Sequence, residues 1–253
     1  MIITIANQKG GVGKTTTSIN LSSGLARKRF KTLLLDCDPQ CNSTSAFFSS
    51  EDTQNSIFSL FLKNDTESEA LIRETKVPNL FSIPSSIHLA KVERNLMAEI
   101  DAPLKLKKSL SKFEKNFDFI IIDTPPSLGL LTVNALIASD NVLIPITPSP
   151  WSIEGVQDFM DTFKSVKETF NEKLKLLGVL ITMYDPRTLL AKESLEQIKN
   201  IFGTLIFNEI IHRSVRLEES PAYKEDIFSF APSSTGAASY KKIVKEVISR
   251  AKE

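Results

Sequence analysis

The chain has 253 residues, 42% of them hydrophobic and 24% charged, with a formal net charge of +1. That composition supplies a large core and excludes collagen-like, disordered and globally basic proteins, so any nucleic-acid contact must come from a local patch. Two cysteines, Cys37 and Cys41, are too few for a zinc site, an iron–sulfur cluster or a disulfide framework, and fit a reducing, cytoplasmic setting. The first apolar run, Ile2 to Ala6, is too short for a secretory leader, and no run approaches a membrane span. One domain covering 1–253 is expected.

Ile2 to Ala6 reads as a buried strand and Ile19 to Ala26 as a helix. Between them lies Asn7-Gln8-Lys9-Gly10-Gly11-Val12-Gly13-Lys14-Thr15-Thr16-Thr17. Strand, glycine loop and helix together make the context a phosphate-binding loop requires. Its glycines let backbone N–H groups wrap an anion, and the helix N-terminus adds favourable dipole. Lys9, Gly10, Gly11, Val12, Gly13, Lys14, Thr15 and Thr16 are therefore candidates to hold a nucleotide. Lys14 supplies charge near the β and γ phosphates, and the Thr15 hydroxyl is a magnesium ligand.

Lys31 to Asp36 is an apolar run ending in a carboxylate, a buried parallel strand by pattern. Residues 42–54 read as a polar loop, Ile57 to Leu62 and Glu67 to Glu74 as short helices, and Leu80 to Ile83 as a strand. Helices are expected over 86–100 and 104–114. Phe117 to Asp123 is the clearest strand, and its terminal Asp123 is placed to hold magnesium beside Thr15. A helix over Leu130 to Ala138, a strand over Asn141 to Thr147, and a long helix over 152–170 capped by Ser152 follow. Leu176 to Met183 reads as strand, 188–201 as helix, 204–211 as strand, and 236–251 as the last helix, after a polar loop to about 222. The Lys105, Lys107, Lys108, Lys112 and Lys115 cluster reads as a solvated face. Strands alternating with helices imply an α/β fold, a mostly parallel sheet with helices on both faces and ligands at the carboxyl ends of its strands.

Lys9 at the head of the loop, Asp36-Cys37-Asp38-Pro39-Gln40, Asp123-Thr124-Pro125-Pro126-Ser127, Glu154-Gly155 and Ser214-Val215-Arg216-Leu217-Glu218-Glu219 resemble the deviant Walker A ATPases of the ParA/MinD superfamily. They are most similar to the small, Soj-type ParA partition proteins, and the resemblance covers nearly the whole chain. It implies a P-loop ATPase with ATP and Mg2+ as cofactors and slow turnover. Lys9, Lys14 and Asp38 would carry the chemistry, Lys9 by crossing a dimer interface and Asp38 by orienting the attacking water, with Asp36 supporting the metal end. Met183 and Pro232 would meet the adenine. The resemblance further implies an ATP-dependent homodimer that binds DNA without sequence preference through Arg187, Arg213 and Arg216. A ParB-type activator would stimulate hydrolysis and release, giving a cytoplasmic, nucleoid-associated protein that drives plasmid or chromosome segregation.

The chain departs from the family where Cys41 replaces a usual glycine and Ser43 a common alanine. Glu225 and Asp226 stand where relatives often have Lys-Pro, which argues for a weaker DNA patch or one leaning on Lys241, Lys242 and Lys245. With the loop at residue 7, no preceding DNA-binding domain is expected. An ATPase that positions a protein cargo is the alternative. A MinD-like membrane protein is disfavoured because the final helix lacks bulky apolar residues. His88, His212 and Trp151 read as structural.

Overall fold

A computed structural model of the chain describes residues 1–49, 55–62 and 68–251, apart from the side chains of Trp151, Ile153 and Glu154. Expectations resting on 50–54, on Glu67 or on the Trp151 and Glu154 side chains lie outside the described residues. The strands are β1 (Ile2–Ile5), β2 (Thr32–Asp36), β3 (Arg73–Glu74), β4 (Leu80–Ile83), β5 (Phe119–Asp123), β6 (Asn141–Ile146) and β7 (Lys175–Ile181). They form one sheet in the order β3-β4-β2-β5-β1-β6-β7. All neighbours are parallel except the β3–β4 edge pair. β1, β2, β5 and β6 are buried along their full length, which is why they appear in the sequence as continuous apolar runs.

The chain enters this sheet from helices on both faces. α1 (Lys14–Arg27) follows β1, and α2 (Asn42–Ser45) and α3 (Phe58–Leu62) follow β2. α4 (Val92–Leu96) and α5 (Lys105–Leu110) precede β5, and α6 (Leu130–Ala138) follows it. α7 (Pro150–Thr169) and α8 (Leu189–Phe202) flank β7, and α9 (Val215–Glu219), α10 (Ile227–Phe230) and α11 (Thr235–Arg250) close the chain. One core joins Ile3, Ile5, Leu34 and Ile121 of the sheet to Leu21 and Leu25 of α1 and Tyr240 and Val244 of α11. The alternate strand positions, Leu33, Leu35, Ile120 and Ile122, face Leu106 and Leu131 on the other side. Period-two alternation thus divides each strand between two apolar layers. At Gly24 the α1 and α11 helices approach so closely that a Cβ would lie 2.5 Å from Val244 Cγ2. A glycine inside a good helix is explained by that contact.

Several expected elements differ. The 86–114 region is a series of short turns: 3-10 segments at Ile87–Lys91, Ala102–Leu104 and Glu114–Asn116 interrupt α4 and α5. Lys105 begins α5 buried, paired with Glu99 and with Asp101 at 3.3 Å, and is not part of a solvated face. Ser68–Leu71 is a 3-10 turn leading into β3 rather than a helix to Glu74. Residues 42–45 are α2, not loop. The long helix starts at Pro150 with Ser149 as its flanking residue, so Ser152 is already inside it. Proline at the first helical position lacks only an N–H that has no partner there anyway.

The 204–211 segment is not a ladder strand. A 3-10 turn at Gly203–Leu205 precedes two isolated bridges, Val179↔Ile206 and Tyr184↔His212. Phe207 N and Ile211 N reach the β7 carbonyls of Val179 and Ile181 at 2.9 Å each, but Asn208 N donates to the Glu246 carboxylate at 3.1 Å. The two bonds to β7 are four residues apart on this segment but two apart on β7, so the intervening residues bulge out of register and no continuous ladder forms. The loop to 222 also contains α9 and a further turn.

Candidate active site

The parallel register sets the site. Asp36 pairs with Asp123 across β2–β5, and Ile5 pairs with Asp123 across β1–β5, so both aspartates end beside the start of the glycine loop. Gly11 and Gly13 have φ of +72° and +81°, the left-handed region that side-chain-bearing residues avoid. Gly13 caps α1 and its carbonyl accepts Thr17 N at 2.9 Å. Just before Gly13, Thr182 Oγ1 donates to Val12 O at 2.8 Å, tying the loop to the strand end of β7.

Lys14 is buried and its Nζ donates to Lys9 O at 2.9 Å. Burial pulls its pKa down, while the carboxylates of Asp123 and Asp38 pull it up. An anionic phosphate at this ammonium would supply the compensation that burial removes. Asp123 is the complementary case. Burial, then the neighbouring Asp36, raises its carboxyl to about 7, with the Thr15 and Ser18 hydroxyls acting in the opposite sense. Oδ1 accepts from Ser18 Oγ at 3.0 Å, whereas Oδ2 is buried with no hydrogen-bond partner. A buried carboxylate oxygen without a partner beside a threonine hydroxyl suits a divalent cation. No group of three His, Cys, Asp or Glu side chains able to hold a metal occurs among the described residues. That donor set fits magnesium, which binds through one or two carboxylates and takes its remaining ligands from phosphate and water.

Asp36 is used differently. Its Oδ2 accepts Thr44 N at 2.8 Å and Thr44 Oγ1 at 2.7 Å, and its Oδ1 accepts Asp38 N at 3.0 Å. These bonds fasten α2 and the Asp38 turn to the end of β2. Asp38 Oδ1 accepts Gln40 N at 2.9 Å, and its carbonyl takes Ser85 Oγ at 2.7 Å. Cys41 adopts φ 56°, ψ 30°, the left-handed region that glycine enters at lowest cost. Its Sγ donates to Pro39 O at 3.3 Å and burial raises the thiol pKa, so it is a passive group.

Lys9 lies on its own subunit. Its Nζ contacts Ser149 Oγ and Ser152 Oγ, both at 3.1 Å, and the two hydroxyls are 2.7 Å apart. The ammonium therefore rests at the positive end of α7, an unfavourable place for a cation. A small pocket beside the loop is lined by Gly13, Thr16, Met183, His212, Ser214 and Leu217. Met183 takes φ 52°, and its Cε lies 3.6 Å from where a Gly13 Cβ would stand. Pro232 is exposed and does not line this pocket. Ser18, Thr44, Ser85, Ser149 and Ser152 carry much of this geometry, and of these only Ser152 stood out in the sequence, as a helix cap rather than a site residue. Serines and threonines that brace a site through long-range hydrogen bonds leave no local pattern.

The segments that carry the three arginines adjoin. Arg213 N donates to Tyr184 O at 3.3 Å and Tyr184 N to Ile211 O at 3.0 Å, joining the 184–187 turn to the segment that leads into α9. Each arginine is exposed and faces an acid: Asp185 for Arg187, Glu218 for Arg213 and Glu219 for Arg216. Asp226 turns out to be buried, capping α10 and pairing with Arg27 at 2.9 Å. Its charge is held inside, so it does not repel an anion at this surface. Lys242 is paired with Glu209 at 2.9 Å. His212 and His88 pack against Tyr184 and Phe58 at ring-centroid distances of 5.5 Å and 6.1 Å.

A glycine loop on a helix N-terminus, a buried lysine within it, and strand-end aspartates at the carboxyl edge of a parallel sheet define a P-loop nucleotide-binding protein. An AAA domain family model matches residues 1–176. The chain is 42% identical to the sporulation initiation inhibitor protein Soj of Bacillus subtilis, with 97% of each chain covered. It is 41% identical to the chromosome-partitioning ATPase Soj of Treponema pallidum, covering 98% of this chain and 97% of that one. Among solved structures, a plasmid partition protein of Borrelia burgdorferi bound to AMPPNP superimposes with a TM-score of 0.81 at 28% identity, over 98% of both chains. A cobyrinic acid a,c-diamide synthase of Mycobacterium smegmatis with ADP and magnesium gives 0.86 at 30% identity, over 100% of this chain and 95% of that one. The chain belongs to the ParA/Soj family of partition ATPases within the ParA/MinD superfamily.

Proposed function

We propose that this ParA-type ATPase is an ATP-timed switch that segregates DNA. ATP and Mg2+ are its nucleotide and metal. The observation that carries the chemistry is the buried Asp123 Oδ2 without a partner beside Thr15 and Lys14. Asp123 and Thr15 hold magnesium, which neutralises charge on the transferring phosphoryl group when bound. Lys14 and the N–H groups of Gly10 to Thr16 hold the phosphates. Asp38 orients water, and Asp36 acts one step back, since its oxygens are already engaged by Thr44 and Asp38 N. The base enters the pocket at Met183, and Pro232 closes over it from the exposed loop before α11.

In this reading Lys9 leaves Ser149 and Ser152 and reaches the nucleotide of a second copy, so that two subunits complete each other's sites. The weak hold of two hydroxyls on a cation at a helix N-terminus supports such a transfer. The dimer binds DNA of any sequence through Arg187, Arg213 and Arg216, and a ParB-type protein stimulates hydrolysis and release. The protein works at the nucleoid, and no helix of the described residues is long and apolar enough to cross a membrane. The higher identity to Soj proteins than to the diamide synthase favours partition over a biosynthetic role.

The DNA assignment is tested by Arg187→Glu with Arg216→Glu in an ATP-dependent gel shift on arbitrary-sequence duplex. Wild-type binding in ATP is expected, falling by about 10²-fold or more in the double variant with a shallower salt dependence. Binding that survives both changes removes the patch, and ATP hydrolysis without any DNA binding in the wild type leaves the protein-cargo reading in place.

A further inference from the structure

The arginine patch has an unusual charge balance. Asp185 Oδ1 accepts both the backbone N–H of Arg187, at 3.0 Å, and its Nε, at 2.8 Å, while Oδ2 accepts NH2 at 2.5 Å. Arg216 NH1 lies 3.0 Å from Glu219 Oε2, and Arg213 Nε lies 3.6 Å from Glu218 Oε1. Three cations thus meet three anions, and the patch carries no net charge.

Helix stability does not explain Glu219. α9 is five residues long and Glu219 is its last residue, where the dipole disfavours negative charge, whereas Glu218 still falls within the first turn. Arg216 also precedes Glu219, the weaker order for a helical ion pair. The arrangement costs the helix something, and its effect falls on the arginines. All six side chains are at least a quarter exposed, with the Arg187 side chain at 85%. Exposed pairs are weak, so a phosphate displaces the carboxylate readily. The displaced acid nevertheless stays beside the phosphate, and fewer counterions are released in net terms than three bare arginines would release.

We infer that Asp185, Glu218 and Glu219 are built-in counter-ions that keep a single subunit's arginine patch too weak to retain DNA, so that retention requires two patches joined in a dimer. This rests on the DNA reading given above. Joining two weak sites raises apparent affinity by about 10²–10⁴-fold without any new contact. A patch strong enough to act alone would lose this dependence, and the nucleotide would no longer control attachment.

The test uses the full chain with Asp185→Asn and Glu219→Gln, on fluorescent arbitrary-sequence duplex in ATP and in ADP across a salt series. In ADP the double variant is expected to bind about tenfold or more tighter than wild type with a steeper salt slope, so the ADP form is retained at DNA concentrations that leave the wild-type ADP form free. Glu172→Gln removes an exposed acid before the amino end of β7, at the opposite end of that strand from Asp185, and is expected to change ADP-state affinity by less than about twofold. A cycle separates pairing from the general field: the effect of Asp185→Asn should vanish in an Arg187→Ala background. An unchanged ADP-state affinity, or an Asp185→Asn effect that persists without Arg187, overturns the inference. If wild type binds DNA in ATP, those outcomes leave the DNA reading standing. If neither wild type nor the neutralised variant binds DNA in any state, that reading fails and the counter-ion role with it.

Discussion

Replacing Lys9 with alanine is expected to lower ATP turnover by about 10²-fold or more while leaving nucleotide binding near normal. Lys9 Nζ touches Ser149 and Ser152 in the single chain, so it makes no contribution to holding phosphate there. Lys14 is the opposite case: it is buried inside the loop, and Lys14→Ala should remove nucleotide binding itself. The two variants can therefore be mixed. A Lys14→Ala subunit still carries Lys9, and it can offer that lysine to the intact nucleotide site of a Lys9→Ala partner. Partial recovery of hydrolysis on mixing two inactive chains is the expected result. Wild-type turnover in Lys9→Ala, or no recovery on mixing, would show that Lys9 does not act across an interface.

Asp123→Asn should have two effects of opposite sign. Magnesium-dependent hydrolysis should fall by about 10²-fold or more, because the one buried carboxylate oxygen positioned for the cation is lost. The chain without nucleotide or magnesium should become more stable. Burial and the nearby Asp36 raise the Asp123 carboxyl from its ordinary 3.8 to about 7, so the folded chain holds this proton more tightly than the unfolded chain. That stabilising contribution is complete below about pH 4 and is lost as pH rises through about 7. Asparagine removes the dependence while keeping an oxygen for Ser18 Oγ. Urea midpoints of the nucleotide-free protein between about pH 5 and 7.5 check this. Equal slopes for wild type and Asp123→Asn, or a less stable variant, would contradict it.

Both predictions rest on residues that stood out in the sequence, and the reason is physical. A buried parallel strand has to be apolar on both faces, so β2, β5 and β6 were visible as uninterrupted runs, and Asp36 and Asp123 were visible as the points where those runs stop. The glycine loop was legible because glycine adopts the left-handed backbone at Gly11 and Gly13 at far lower cost than other residues. The limits of α6 could be read directly, Leu130 to Ala138, since Gly129 and Ser139 bound a mostly apolar segment.

What was not legible depended on partners far away in the chain. The 204–211 segment has strand-like composition, yet it bulges between its two bonds to Val179 and Ile181 of β7, while Glu246 of α11 takes the outward-facing Asn208 amide. Asp226 looked like a charge opposed to DNA, but Arg27 at the far end of α1 holds it inside. The resting place of Lys9 could not be found from Ser149 and Ser152, which look like ordinary residues at a helix start. Nor could the acids that face the three arginines, because Glu218 and Glu219 read as part of a family motif and Asp185 as a turn residue.

The central claim is that ATP joins two copies of this chain and that hydrolysis separates them. Light scattering coupled to size-exclusion chromatography of Asp38→Ala, with and without ATP and magnesium, tests it most directly. Loss of the water-orienting carboxylate should leave ATP uncleaved, and the account predicts a stable dimer in ATP and a monomer without it. A monomer in ATP, with nucleotide demonstrably bound, would contradict it.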